Sequence, residues 1–172
     1  DLSGQSCEAI ARQVSAARRG GDLVVVSIHW GGNWGYRVEP EQRAFAHMLV
    51  DAGAADVVHG HSSHHPRGIE IYRERPILYG CGDFLNDYEG IGGYEPFRPG
   101  LCLMYFPTLD AASGALQRLA LVPMRVRRFR LQRASEEEAR WLQQTLDRES
   151  RGFGTHVELA SARELLVRAA GA

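Results

Sequence analysis

The 172-residue sequence has no apolar run approaching the eighteen or so residues that a membrane-spanning helix needs, so no such span is expected within it. Its first ten residues, DLSGQSCEAI, lack the charged, apolar and small-residue zones of a secretory leader. Excess charge is missing too. Twenty Lys and Arg stand against 21 Asp and Glu, a formal net charge of −1, and this balance disfavours a nucleic-acid-binding module. Cysteine is scarce, and Cys7, Cys81 and Cys102 are odd in number without C-x-x-C spacing. That pattern argues against a disulfide framework and a zinc knuckle, and it favours a reducing compartment while leaving the compartment itself open. Cys81 and Cys102 lie in apolar runs and are expected to be buried, inert thiols. Internal repeats and low-complexity linkers are absent.

What is present suits one well-packed core. Hydrophobic residues make up 44% of the chain, and the reading is a single segment, 1–172, with sheet and covering helices over 1–132 and a helical tail over 133–172. SGQSCEAIARQVSAARR predicts a helix capped by Ser3 or Ser6 and ended by Gly20 and Gly21. DLVVVSIHW predicts a buried strand. PEQRAFAHMLVDAG, with Pro40 in the first turn and Gly53 as its stop, predicts a second helix, and ADVVHGH a second strand. This alternation is that of an α/β layered fold with a partly parallel sheet.

Past His65 the pattern changes. GIEIYR, PILYGCG, GLCLMYFPTLD and ALQRLALVPMRVRRFRLQ follow one another too closely for crossover helices and should pair as antiparallel hairpins. DFLNDYEGIGGYEPFRPG, between the second and third, reads as a functional loop. In RVRRFRLQR the arginines alternate with Val126, Phe129 and Leu131, as on the wet face of a half-buried strand. SEEEARWLQQTLDRESRGFG predicts a helix capped by Ser135 with Glu136, Glu137 and Glu138 at its positive end. SARELLVRAA is expected to be a last helix.

The chemistry gathers where the two early strands stop. Four of the seven histidines, His59, His61, His64 and His65, lie within seven residues in DVVHGHSSHHPRGIEIY, and His29 closes the first strand in SIHWGGNW. In open α/β sheets, residues past the carboxyl ends of adjacent strands share one crevice. Gly31, Gly32 and Gly60 permit tight turns there, and imidazole is the commonest ligand of transition metals. His29, His61 and His64 are therefore expected to bind metal. His59 points at the core side or supports another ligand, and His65, before Pro66, faces solvent. His47 and His156 are expected to be ordinary hydrogen-bonded histidines, and Glu70, alternating with Ile69 and Ile71, a structural carboxylate.

Read together, VVVSIHWGGNW and EQRAFAHMLVDAGAADVVHGHSSHHPRGIEIYRERPILYGCGDFLND resemble the CapA-type family of poly-γ-glutamate capsule-biosynthesis proteins (PGA_cap). The order of H-W-G, a helix carrying Q-R, G-H-x-x-H, G-I-E-[IV]-Y and a closing G-[ND]-F is similar from about Leu23 to Asn86. The resemblance implies a calcineurin-like metallophosphoesterase fold, a layered αββα sandwich with a mixed sheet, of which this chain is the C-terminal half. It places His29 on the H-W-G histidine, and His61 and His64 on those of G-H-x-x-H. Asn33 departs from an acidic residue found in many relatives, and Asp83 from the asparagine of G-N-F. The family's earlier aspartate and N-H blocks have no counterpart before Asp22, which implies a missing N-terminal half of the same domain as a partner.

The implied reaction is metal-assisted hydrolysis of a phosphoester or related anionic polymer, through two divalent ions of Mn, Fe or Zn in the complete domain. His59 or His65 would serve as general acid. Arg37, Arg67, Asn33 and Asp83 are expected to contact substrate, with Arg98 a further loop candidate for carboxylate or phosphate recognition. The alternative is a non-catalytic scaffold or anionic-polymer-binding component of capsule or cell-envelope synthesis.

Overall fold

A computed structural model describes every residue except Asp87, Ala162 and Ala172. The chain runs α1 (Gly4–Ala17), β1 (Val25–His29), α2 (Pro40–Asp51), β2 (Val57–His61), β3 (Ile69–Tyr72) and β4 (Arg75–Leu78). It continues through β5 (Leu101–Leu109), β6 (Leu116–Arg127), β7 (Arg130–Arg133), α3 (Glu136–Arg151), β8 (Thr155–Ser161) and β9 (Glu164–Ala169). The helices begin as their sequences dictate. Ser3 caps α1 by accepting the Ser6 N–H, Glu39 and Gln42 form a capping box over α2 with Pro40 inside its first turn, and Ser135 with Glu138 does the same for α3.

One sheet has the order β1-β2-β4-β3, with β1, β2 and β4 parallel and β3 antiparallel to β4. The other is antiparallel in the order β5-β6-β9-β8, with β7 also paired to β6. The mixed, layered α/β architecture expected from the sequence is thus present. Phe45, Ala46 and Leu49 of α2 pack with Cys7 of α1 against Val58, Ile77 and Tyr79 on the outer face of the first sheet. A second core joins Ile69 and Leu78 to Leu103, Leu121 and Leu165 of the other sheet and to Leu142 and Leu146 of α3. All three cysteines are buried free thiols, and no helix among the described residues is long and apolar enough to cross a membrane.

Two expectations are overturned. The tail is helical only to Arg151; the segment expected as a last helix forms β9 and part of β8, with Ala162 outside the described residues. Leu165 and Val167 are buried at alternate positions and pair with Leu121 and Leu119 of β6, so burial at period two overrides the helix propensity of ELLVRAA. The arginine-rich stretch is not one strand either. Arg128 and Phe129 take φ of 52° and 55° and form a two-residue turn between β6 and β7, which leaves Phe129 exposed.

Candidate functional site

Strand register brings the first two histidines together. β1 and β2 pair in parallel with His29 opposite His61, and their rings meet edge to face with centroids 5.2 Å apart. His59, two residues back on the same face of β2, has its ring centroid 5.7 Å from that of His61. Its Nδ1 lies 3.2 Å from Ser27 Oγ on β1. Burial first, and then the neighbouring His61, push the His59 pKa down. Trp30, immediately past His29, turns into the core, where its Nε1 donates to the Tyr79 carbonyl at 2.9 Å.

The loops beyond β1 and β2 are tied to each other. The His64 N–H donates to the Asn33 carbonyl at 3.0 Å, and Ser62 Oγ reaches the Gly31 carbonyl at 3.2 Å. Ser62 carries φ 123°, a conformation costing a non-glycine residue roughly 1–3 kcal/mol, which the surrounding bonds must sustain. His64 Nδ1 is 3.0 Å from Asp83 Oδ2, and the Tyr88 hydroxyl donates to that same oxygen at 2.7 Å. A carboxylate can only accept, so Nδ1 carries a proton, and in the neutral ring Nε2 is the lone-pair nitrogen. A carboxylate on the far nitrogen is the usual support of a metal-binding histidine.

The remaining expected residues are placed as follows. His65, expected to face solvent, is 0% exposed, enclosed by Trp34, Tyr36 and Phe97. Its Nδ1 lies 3.0 Å from the Pro66 carbonyl, and burial pushes its pKa down to about 4. A ring so enclosed packs the loops and is not positioned to meet a leaving group. Arg67, expected at the mouth, is also buried, and its Nη2 donates to the Gly32 carbonyl at 2.6 Å. It props the turn after His29. Arg37 is exposed and paired with Glu39 at 3.0 Å. Arg98 lies over the Trp141 ring at 5.0 Å. His47 Nε2 stands 3.1 Å from Glu70 Oε1, and His156 Nδ1 3.4 Å from Asp147.

Sequence reasoning passed over Ser27, Tyr88 and the aromatic set. Ser27 was visible in principle, since a residue two before His29 shares its face. Trp34, Tyr94 and Phe97 come from loops whose approach no local pattern encodes.

The state of His65 gives a pH expectation. Its unfolded value near 6.5 exceeds the folded one, so the unfolded chain takes up the proton first. The associated stability is complete above pH 6.5 and is lost as pH falls toward 4, amounting to roughly 2–3 kcal/mol. Chemical denaturation at pH 7 and pH 4.5 should show wild type losing more stability than His65→Phe; parallel losses would refute the assignment.

Among the described residues, no three of His, Cys, Asp and Glu converge to hold a metal ion by themselves. The donors present nevertheless suit one as a partial set: two imidazoles side by side at strand ends, and a third with its Nδ1 held by a carboxylate. Fold and site together define a two-sheet α/β protein with a histidine-bearing crevice at the carboxyl ends of parallel strands.

Residues 2–88, half of the chain, match the family model for bacterial capsule synthesis protein PGA_cap, and the chain belongs to that family. It is 59% identical over 148 residues to a probable polyglutamine synthesis accessory protein of Mycobacterium tuberculosis, a stretch covering 86% of this chain and 39% of that protein. It is 36% identical over 84 residues to the capsule biosynthesis protein CapA of Bacillus anthracis, covering 46% of this chain and 20% of the relative. With the PGA biosynthesis protein CapA of Bacillus subtilis it shares 38% over 74 residues, or 43% and 19% of the two chains. The chain therefore spans well under half the length of these curated relatives.

Proposed function

We propose that this chain is the histidine-bearing portion of a CapA-like accessory protein of polyglutamate or capsule synthesis, working as a metal-dependent hydrolase of a phosphoester or related anionic substrate. The observation that carries the reading is the contact of His29 with His61 across parallel strands, rings 5.2 Å apart at the strand ends where α/β sheets bind ligands. His29 and His61 are the residues to hold a divalent ion such as Mn, Fe or Zn, with His64 as donor to the same or a second ion. When bound, such ions supply Lewis acidity and an activated water.

The chain's own groups do the positioning. Asp83 and Tyr88 fix the His64 ring, Arg67 and Ser62 hold the turn of Gly31 and Gly32, and His59, backed by Ser27, is the candidate proton carrier beside the pair. Exposed Asn33 and Arg37 flank the crevice as candidate substrate contacts. The remaining donors would come from the rest of the domain, its N-terminal half.

A second reading, a scaffold or polymer-binding component without a working centre, is favoured by one observation: no three-donor cluster exists among the described residues. Elemental analysis of the longest natural form against a His29→Ala, His61→Ala double variant separates the two. Metal near one equivalent or more per chain, lost in the variant, is the expected result. No metal even after purification with added divalent ions would leave the scaffold reading standing.

A further inference from the structure

Between Leu116 and Ser135 the chain has six arginines and no Asp or Glu. Most of them gather at one place in the fold, the end of the β6–β7 hairpin. Residues directly opposite each other in an antiparallel pair share a face. Arg127 and Arg130 therefore stand side by side with Arg125 behind them, while Arg133, opposite Met124, lies on the other face. Arg128 and Phe129 make the turn. Residues 127–130 and Arg133 are exposed, Phe129 to 65%.

This arrangement costs the hairpin stability. Like charges directly opposite each other repel. A two-residue turn with both φ positive favours Asn and Gly, and a bulky aromatic at φ 55° is strained. Internal partners do not relieve the charge. Arg125 is engaged by Glu138 at 2.8 Å, but among the described residues Arg127, Arg128, Arg130 and Arg133 have no ion pair. Glu89 reaches the turn through the backbone, accepting the Arg128 N–H at 2.7 Å. Features held against local preference in this way point to a role outside the fold itself.

A protruding phenyl ring among cations combines the two signals that membrane docking needs, an apolar group for the interface and a polybasic patch for acidic headgroups. We infer that the β6–β7 tip docks on an anionic lipid surface, with Phe129 entering the headgroup zone and Arg127, Arg128, Arg130 and Arg133 meeting lipid phosphates. Two features favour a surface over a soluble anionic polymer. The cations flank the tip on both faces, as end-on approach to a plane requires, and a polycarboxylate has no use for an exposed phenyl ring. Further back along β6, Arg125 is already neutralised. Glu89 follows Tyr88, whose hydroxyl donates to Asp83, so docking would hold the histidine crevice near the lipid. The inference goes beyond the proposed function, because docking needs neither metal nor hydrolysis.

A polarity-sensitive fluorophore on Phe129→Cys in the longest natural form tests it, the native cysteines of this chain being buried. Emission should shift to the blue with vesicles of phosphatidylcholine containing about 30% phosphatidylglycerol, and not with phosphatidylcholine alone. The same label on Gly152→Cys, roughly 20 Å from Glu138 at the far end of α3, should not respond. Adding Arg127→Gln and Arg130→Gln should weaken the tip response about 25-fold in a lipid titration, roughly fivefold per arginine. That pair removes a repulsion, so its Tm should equal or exceed that of the parent, which separates lost docking from lost folding. Raising salt from about 0.1 M to about 1 M should weaken the response at least tenfold. No shift at the tip, a shift at both labels, or a shift indifferent to the two arginines would overturn the proposal. So would a tip cysteine that resists labelling before vesicles are added, which would assign the tip to a protein partner. A shift produced by soluble polyglutamate and not by vesicles would overturn it as well, assigning the patch to the polymer.

Discussion

Gly60→Ala is expected to cost roughly 3 kcal/mol, at the upper end of overpacking effects, and to lower Tm by roughly 6–12 °C. A Cβ on Gly60 would sit 2.5 Å from Trp30 Nε1 and 2.7 Å from both the Leu78 and Tyr79 carbonyl oxygens. None of the three can step aside cheaply. The two oxygens are backbone on and just past β4, and the indole nitrogen is held by its bond to the Tyr79 carbonyl. Relief would have to come from shifting β2 between its partners, which would disturb His59 and His61 on either side of the glycine. Gly152→Ala makes the control, because its φ of −62° and empty surroundings accept a methyl group. Denaturant midpoints for the pair should differ widely, and equal midpoints would show that β2 has slack it should not have.

Glu70→Ala is expected to cost roughly 3–5 kcal/mol, the range for stripping one partner from a buried charged network. Glu70 is 2% exposed. It accepts from Arg43 Nη2 at 2.8 Å and from the Tyr79 hydroxyl at 2.5 Å, and His47 Nε2 stands 3.1 Å away. Burial works to raise its pKa, but the hydrogen bonds from Arg43 and Tyr79, with His47 standing beside it, outweigh it and hold the carboxyl below its usual range. A depressed carboxylate stabilises fully above its unfolded value near 4.3 and loses that contribution as pH falls through the folded value. Wild type should therefore lose more stability than Glu70→Ala on acidification below pH 4. Glu70→Gln, which keeps the shape and some acceptor capacity, should fall between the two in denaturant titrations; a Glu70→Ala loss under 1 kcal/mol would mean that the network is ornamental.

Much of the first sheet was legible because its signals are local. The apolar runs ending in His29 and His61 each carry their own turn residues, and Pro40 and Gly53 bracket α2 where the structure places it. The structural reading of Glu70 came from alternation alone and agrees with its buried network. What was not legible depends on partners distant in sequence. ELLVRAA is a fair helix in isolation, and the ladders to β8 and to Leu119, Ala120 and Leu121 of β6 make it β9. The β6–β7 turn has no Asn-Gly or Asp-Gly to announce it. His65 read as a surface residue because Tyr36 and Phe97, its ring neighbours, lie about thirty residues away on either side. For the same reason Arg67 looked like a free cation rather than a prop for Gly32.

Trp34 stacks on Tyr94 with ring centroids 3.9 Å apart and planes 3° from parallel, and it also meets the rings of His64, His65 and Phe97. Three loops are thereby locked as one piece before any ligand arrives. The entropy of arranging them is spent during folding, so any guest at the proposed crevice would encounter a preformed mould and keep more of its contact energy as affinity. The same lock sets a limit on versatility: a guest of the wrong shape cannot be accommodated by moving one loop, because the other two would have to move with it.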